Sequence, residues 1–219
     1  MKAYTTAAVA LTLSLALAAP AAEAALEDDV HQATTILERF QDMPEHAIPE
    51  SVLRKAKGLA ILTSLKAGFI FSGQGGKGLV VARTDHGWSG PSAIGTGGAG
   101  FGFQAGAKVT EFVIILNTDE AVEAFSHGGN IAIGAGLSAA AGPVGRDIAA
   151  NVMPVAAVYT YSRSQGLFAG VSLEGAVIVT RNDANYQYYG REVSPDQILS
   201  GKIKPPQGAT HLIHVLDRL

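Results

Sequence analysis

Basic side chains are concentrated in one stretch of this sequence, where they could meet phosphate groups. Between Ser51 and Thr84 the chain has six basic residues and no acidic one, although its formal net charge is −3. The six are Arg54, Lys55, Lys57, Lys66, Lys77 and Arg83. Each Lys or Arg near an anionic bilayer contributes about 1 kcal/mol to binding. The stretch therefore predicts a lipid-headgroup site with the first four residues as main contacts, provided that the six side chains converge on one patch.

The expected strands leave a second interpretation of this basic stretch open. Because side chains alternate between the two faces of a strand, the six groups could instead point in several directions over a solvated surface. Lys66 and Lys77 lie beside glycine-rich segments that we interpret as turns, where an ammonium group can reach a phosphate. Arg54, Lys55 and Lys57 form the densest part of the stretch, so their assignment depends least on the course of the strands.

A glycine-rich segment formally matches a dinucleotide-binding pattern. Residues 73–78 read Gly-Gln-Gly-Gly-Lys-Gly, which fits GxGxxG. That pattern binds pyrophosphate when a helix follows it, because the helix N-terminus holds the anion. Here the apolar residues 79–81 follow and predict a strand. We therefore interpret residues 73–78 as a hairpin turn and not as a nucleotide site.

Residue patterns typical of catalysis are missing from the sequence. It contains no cysteine, and neither the HExxH metalloprotease pattern nor the GxSxG nucleophile pattern occurs. His211 and His214 lie close together with only Asp217 as an acidic neighbour, which does not predict a metal site. The acidic net charge gives no reason to expect a nucleic acid partner. We predict a non-enzymatic protein with no cofactor and no metal.

The N-terminal residues 1–24 have the pattern of a secretory signal. Lys2 supplies a positive charge, residues 7–18 are apolar, and residues 22–24 read Ala-Glu-Ala, a small-x-small cleavage pattern. The apolar segment is shorter than the ~20 residues that a membrane helix needs. An uncleaved N-terminal anchor is the alternative. We predict a signal peptide at 1–24 and a mature domain at 25–219, with the protein periplasmic or secreted and peripheral to a membrane.

The hydrophobic pattern predicts helices near the N-terminus and mainly strands after them. Apolar residues at three- and four-residue steps predict a helix over 27–43, and residues 50–57 predict a short basic helix. Short apolar segments punctuated by glycine predict strands at 59–65, 69–72, 79–83, 112–116, 155–161 and 176–180. Short helices are expected at 119–125 and from 194, and a helix or strand at 211–219. Long helices seldom separate the strands, so we predict an α+β fold with a curved, mostly antiparallel sheet or barrel-like β core.

Two uncharged tracts, residues 86–107 and 124–145, are rich in glycine and alanine. Glycine costs about 1 kcal/mol per residue in a helix, so a membrane-spanning helix is not expected there. Read with period two, the glycines at 98, 100, 102 and 106 form a bare strand face. Such a face lets another backbone pack closely, which we favour, or leaves a flat groove for lipid. The same faces support a rival hypothesis, a structural module that self-associates into a homo-oligomer.

Ordered sequence blocks along the chain carry a resemblance to a known family. They include Ala56-Lys57-Gly58-Leu59-Ala60-Ile61-Leu62, Gly78-Leu79-Val80-Val81-Ala82-Arg83, Trp88-Ser89-Gly90-Pro91 and Tyr161-Ser162-Arg163-Ser164-Gln165-Gly166. With the other blocks they cover roughly residues 27–218. Taken together, they resemble the SYLF domain.

The resemblance implies a phospholipid-binding domain whose eukaryotic members bind phosphoinositides, and some fungal and animal members also bind and bundle actin. This chain departs from that pattern in two ways. Its predicted export signal makes actin an unexpected partner. Its first helix, a membrane-inserting element in some relatives, begins with the acidic residues Glu27, Asp28 and Asp29. We therefore place the membrane contact in the basic stretch and take anionic phospholipid in general as the expected ligand.

Overall fold

The computed structural model describes residues 26–43, 48–128, 131–132, 138–143, 156–166 and 177–219. The predicted signal peptide lies outside these ranges, so its existence and cleavage stay predictions.

Two long strands form the centre of the fold. Strand β1 (Gly58–Thr84) and strand β3 (Ser92–Leu116) pair antiparallel along nearly their whole length, with one register shift between Phe69 and Phe71. The sequence predicted three separate strands within β1. The structure joins them, because glycine supplies the backbone N–H and C=O groups of a ladder as any residue does. The short strand β2 (Gly87–Trp88) pairs with the end of β1.

The glycine-rich segment 73–78 is part of this ladder. Its residues lie opposite residues 94–99 of β3 in regular antiparallel register. The prediction of a hairpin turn at this segment was therefore wrong, and Lys77 lies within a strand instead of beside a turn. A strand follows the segment, as expected, so no helix N-terminus is available for pyrophosphate.

Strand β1 folds back so that its second half packs on its first half. A Cβ atom at Gly58 would lie 2.8 Å from the carbonyl oxygen of Val81, and one at Gly76 would lie 2.8 Å from the Cα of Ser64. At Gly78 it would overlap the carbonyl oxygen of Ile61. Glycine is required at this crossing because the two backbones approach more closely than a side chain allows. These three glycines lie outside the tracts 86–107 and 124–145, for which close backbone packing was predicted. At Gly98 of the first tract a Cβ atom would meet the side chain of Gln74 at 2.8 Å and not another backbone.

The remaining strands extend the two ends of β3. Strand β6 (Val158–Gly166) pairs with its second half and strand β7 (Val177–Thr180) with its first half. Two further short strands lie outside these: β4 (Ile131–Ala132) pairs with β7, and β5 (Ala139–Ala141) pairs with β6. Only the β5–β6 pair is parallel among the described strands. The curved, mostly antiparallel sheet of an α+β fold is confirmed.

Helices cover both faces of the sheet where the first and last residues of β1 pair with β3. One face packs against α1 (Leu26–Asp42), α4 (Asn182–Tyr189) and α6 (Thr210–Leu216). The other face packs against α3 (Asp119–Ser126) and α5 (Pro195–Leu199). In β1, β3 and β6, odd-numbered residues contribute to the first core and even-numbered residues to the second, as the period of two requires.

Most of the predicted helices are present in the structure. The predicted apolar stripe of α1 is buried: Val30, Ala33, Ile36, Leu37 and Phe40. Thr118 caps α3 and Ser194 forms a capping box for α5. Helix α2 (Glu50–Lys55) ends two residues before its predicted end, because Ala56 is extended. The sequence analysis missed α4, whose residues Asn-Asp-Ala-Asn-Tyr-Gln-Tyr-Tyr lack a helical apolar stripe.

Among the described residues, no helix combines the length and the apolar character that crossing a bilayer requires.

Candidate functional site

The six predicted contact residues lie in three places and not in one patch. Four lie where α2 meets the start of β1: Arg54, Lys55, Lys57 and Arg83. Lys77 lies on the second half of β1, facing α1. Lys66 lies near the bend of β1, about 30 Å along the strand from Lys57 at ~3.3 Å per residue. The six side chains therefore do not converge, and their contact with lipid stays a prediction.

Arg83 has a structural role in the first of these places. Its Nε and one terminal nitrogen donate to the carbonyl oxygens of Ala56 (3.3 Å) and Leu53 (3.5 Å) at the end of α2. Its guanidinium also lies 4.3 Å from the ring centroid of Trp88. The backbone N–H of Ala56 also donates to the Leu53 carbonyl, so Arg83 adds to the hydrogen bonding at this helix end. Arg83 therefore fixes α2 to the sheet, and its guanidinium is largely occupied.

Two other cations of this group have acidic neighbours at the surface. Arg54 lies 3.6 Å from Glu50, and Lys57 lies 3.5 Å from Asp119, with both pairs well exposed. Exposed ion pairs are worth only ~0–1 kcal/mol and exchange readily with other charges. The local positive charge is therefore reduced but remains available to a phosphate. We call Arg54, Lys55 and Lys57 the α2 basic cluster.

Lys77 is bound to a buried carboxylate. The side chain of Asp29, in the first turn of α1, is fully buried. It lies 3.3 Å from the ammonium of Lys77 and 2.8 Å from the guanidinium of Arg181. Burial raises the pKa of Asp29 above its ordinary value, although both cations act to lower it. The three residues tie the start of α1 to β1 and to the residue after β7, so Lys77 serves the fold.

The bend of the β1–β3 pair bears a second group of charges that the sequence analysis did not assemble. We call it the bare end, and it comprises residues 63–68 of β1, 106–111 of β3 and 162–166 of β6. Its charged residues are three cations, Lys66, Lys108 and Arg163, and one acid, Glu111. Glu111 is engaged by Arg163 (3.5 Å) and also by Arg39 of α1. The bare end therefore has a net positive charge.

Two large aliphatic side chains are exposed at the bare end. Leu65 is 52% exposed and Val109 is 42% exposed, and the two residues lie directly opposite each other in the ladder. Ala67 and Ala107, the next pair on the same face, are also exposed. Helix α1 covers this face only as far as the row of Glu111, where Arg39 makes its contact. Arg163 lies on the same face as this apolar strip, whereas Lys66 and Lys108 lie on the opposite face. An exposed apolar patch can mark a surface that meets a partner or a bilayer.

Lys108 is the residue that sequence reasoning missed most clearly. It lies directly opposite Lys66 in the ladder, on the face away from Leu65 and Val109. It is only 5% exposed, and burial together with the charge of Lys66 lowers its pKa. Lys108 directly follows the uncharged glycine-rich tract 86–107, and this position could have marked it as a candidate residue. The pairing with Lys66 could not be read from the sequence without the register.

Two of the cavities do not suit an anionic ligand. One, of about 700 Å³, is lined by Asp183, Glu192 and the start of α5. A neighbouring one, of about 380 Å³, is lined by Asp119, Glu123 and other residues of α3 and α5. Carboxylates repel phosphate, so these cavities are not candidates for a headgroup site.

Within the described ranges, no group of three or more His, Asp or Glu side chains could hold a metal ion. His211 lies 3.7 Å from Glu38 of α1 and fastens α6 to it when the ring is protonated.

Comparison with known proteins places this arrangement in a family. The sequence matches the Ysc84 family, described as Las17-binding protein actin regulator, over residues 97–219. It is 50% identical over 178 residues to LAS seventeen-binding protein 3 of Saccharomyces cerevisiae, covering 79% of this chain and 39% of the yeast protein. It is 46% identical over 200 residues to the human SH3 domain-containing YSC84-like protein 1, covering 88% of this chain and 58% of the human protein.

The fold and the sequence similarity together define an α+β domain of the type found in actin-regulating proteins. The chain belongs to the SYLF (Ysc84) family, as the sequence blocks suggested. It spans between about two fifths and three fifths of the length of these relatives. The family description names regulators and binding proteins, not enzymes.

Proposed function

We propose that this protein is an exported, non-catalytic SYLF domain that docks on an anionic phospholipid surface. Residues 1–24 would be its signal peptide and residues 25–219 the lipid-binding domain, located in the periplasm or secreted. The observation that carries the proposal is the bare end, where three cations accompany one engaged acid and an exposed apolar strip.

The physical basis of docking is the combination of charge and apolar area. Cations near an anionic bilayer contribute about 1 kcal/mol each. Full burial of a Leu or Val side chain contributes ~1.5–3 kcal/mol. Leu65 and Val109 lie on the face that packs against α1, beyond the row of Glu111 where the helix cover ends. Moving them from water into the interfacial region of a membrane therefore adds to the electrostatic attraction.

The α2 basic cluster supplies a second, weaker contact in this proposal. In this contact Arg54 leaves Glu50 and Lys57 leaves Asp119, and both bind lipid phosphates instead. Several phosphates on one surface attract these cations more strongly than a single exposed carboxylate does. Arg83 and Lys77 are left out of the contact surface, because each is held by groups of the fold itself.

Vesicle co-sedimentation tests the proposal. The purified protein should pellet with phosphatidylglycerol vesicles and remain in solution with phosphatidylcholine vesicles. Bound fraction should fall as NaCl rises from about 50 to 500 mM, because salt screens exposed charges. The double change Lys55→Glu with Lys57→Glu should weaken binding by a few fold, whereas Lys204→Gln, in the loop before α6, should leave it unchanged. Equal binding to neutral and anionic vesicles would contradict the proposal.

A protein partner is the second candidate. The family description names an actin regulator, and the yeast relative is named for binding to LAS seventeen. The test is co-sedimentation with actin filaments under the conditions of the vesicle experiment. Pelleting with filaments but not with anionic vesicles would favour the protein partner. The rival hypothesis of self-association predicts concentration-dependent oligomers without lipid, which sedimentation velocity measures directly.

A further inference from the structure

Two arginines from different elements meet one carboxylate at the point where the cover by α1 ends. Arg39 of α1 donates to one oxygen of Glu111, and a terminal nitrogen of Arg163 of β6 lies 3.5 Å from the other oxygen. Each guanidinium has five N–H donors, so one carboxylate uses only part of what the pair offers. The side chains of Arg39 and Arg163 are 36% and 35% exposed. The two arginines therefore carry one positive charge more than their carboxylate, and both reach solvent.

The apolar strip begins in the next row on the same face of the strands. Glu111 and Arg163 are directly opposed, and the following row of the β1–β3 pair holds Leu65 and Val109. A pair of exposed alanines comes after it. From Glu111 to the alanine of β3 the distance is roughly 13 Å at ~3.3 Å per residue. A surface with a cationic end and an apolar length matches a molecule with an anionic head and an aliphatic chain.

Glu111 has another partner within reach when an external anion takes its arginines. Thr63 lies directly opposite Glu111 in the ladder, so that their Cβ atoms are ~4.5–5.5 Å apart. Within the part of the chain that the structure describes, the buried hydroxyl of Thr63 has no hydrogen-bond partner. The Glu111 carboxylate can accept a hydrogen bond from this hydroxyl. An exchange of partners therefore leaves neither group unsatisfied, which lowers the cost of admitting a ligand.

We propose that Arg39, Arg163 and the apolar strip bind one single-chain anionic amphiphile of the fatty acid class. The carboxylate head of the ligand accepts charge-assisted hydrogen bonds from the two guanidinium groups, which already bind a carboxylate in this protein. The aliphatic chain lies along Leu65 and Val109 and removes their exposed surface from water. The site takes a single molecule from solution, so this inference goes beyond docking on a bilayer and does not rest on it.

Titration with octanoate, a soluble amphiphile of this class, tests the site. The methyl NMR signals of Leu65 and Val109 should shift saturably with octanoate. Acetate has the head without the chain and 1-octanol has the chain without the charge, so each should bind about tenfold more weakly or less. Arg163→Gln should weaken octanoate binding about tenfold, because a hydrogen bond between charged groups is lost. Arg191→Gln, exposed after α4, is the matched control and should bind octanoate as the unaltered protein does.

A second variant should change the affinity in the opposite direction. Glu111→Gln removes the carboxylate that competes for the two arginines, so octanoate should bind several fold more tightly. Equal affinity for 1-octanol and octanoate, or an octanoate affinity that neither Arg163→Gln nor Glu111→Gln changes, would overturn the site. Octanoate binding without binding to phosphatidylglycerol vesicles would support this site and contradict the proposed function. Vesicle binding without octanoate binding would overturn this site alone.

Discussion

The two ends of the β1–β3 pair are built on one continuous ladder but differ in what covers them. Near the chain ends, Leu59 and Ile115 face α1, and Ala60 and Ile114 face α3, so both faces are buried. At the bend, Leu65 is exposed, and the helix cover stops at the row of Glu111. The face that packs against α1 at one end is thus a surface at the other, whereas Ser64, Lys108 and Thr110 on the opposite face stay buried.

This difference indicates a division of tasks along one pair of strands. The covered end provides the burial of apolar area that stabilises the domain. The bare end contributes less to stability, so its side chains are available for contacts outside the molecule. Substitutions at the covered end should therefore change stability, and substitutions at the bare end should change binding.

The largest expected effect separates two glycines of the same strand. Gly78→Ala places a Cβ against the carbonyl oxygen of Ile61, a backbone atom that cannot move aside, and should destabilise the protein by roughly 3 kcal/mol or more. Gly73→Ala is the matched control, because nothing lies within 4 Å of a Cβ there. Its effect should stay within about 0.5 kcal/mol. Urea unfolding of both variants measures the difference, and equal effects would argue against the close crossing of β1.

A smaller effect is expected from Arg83→Lys, which keeps the charge. The lysine cannot bond the carbonyls of Leu53 and Ala56 and stack on Trp88 at once, so unfolding free energy should fall by about 1–2 kcal/mol. Vesicle binding of the folded protein should not change. Lys55→Gln should show the opposite pattern. Its free energy of unfolding should be unchanged, and its vesicle binding should be slightly reduced. A large loss of vesicle binding in Arg83→Lys would show that Arg83 belongs to the contact surface.

Asp29 predicts a pH dependence of stability at the covered end. Burial raises its pKa above the ordinary value of 3.8, so the folded protein holds this proton more tightly than the unfolded chain. The resulting contribution to stability is fully present below the unfolded pKa and is lost as pH rises through the folded pKa. Asp29→Asn cannot titrate. The unfolding free energy of the unaltered protein minus that of Asp29→Asn should therefore decrease as pH rises from about 3.5 to 7. An increase would show that Lys77 and Arg181 outweigh burial.

The smallest effect on stability is expected at the apolar strip. Leu65→Asn with Val109→Thr changes two exposed side chains and should alter the free energy of unfolding by about 0.5 kcal/mol or less. Binding to phosphatidylglycerol vesicles should nevertheless weaken several fold, because less apolar area enters the membrane interface. Thermal melting and co-sedimentation of one preparation measure both quantities. Unchanged vesicle affinity would remove the strip from the docking surface.

Much of the fold could be predicted from residue patterns, because those patterns act over short distances. The stripe of α1 is a local signal and was recognised correctly, and the caps Thr118 and Ser194 are likewise local to the helices that they begin. The course of β1 was not, since glycine is a turn signal and also a residue that permits close backbone approach. Which role Gly78 plays depends on Ile61, a partner that the local sequence does not identify.

The candidate site was predictable only in part, for a related reason. Composition revealed that residues 51–84 are rich in cations and lack acids. It did not reveal that Asp29 engages Lys77, or that the end of α2 engages Arg83, because these partners come from other parts of the chain. Lys108 likewise becomes a neighbour of Lys66 only through the register of the ladder.

Hydrogen–deuterium exchange with and without phosphatidylglycerol vesicles tests most directly whether the bare end meets the membrane. The account predicts that vesicles slow exchange in peptides covering residues 63–68, 106–111 and 162–166, with at most a smaller change around α2. Phosphatidylcholine vesicles should leave all of these peptides unchanged. Protection confined to α2 and α3, or an unchanged exchange rate at the bare end of vesicle-bound protein, would contradict it.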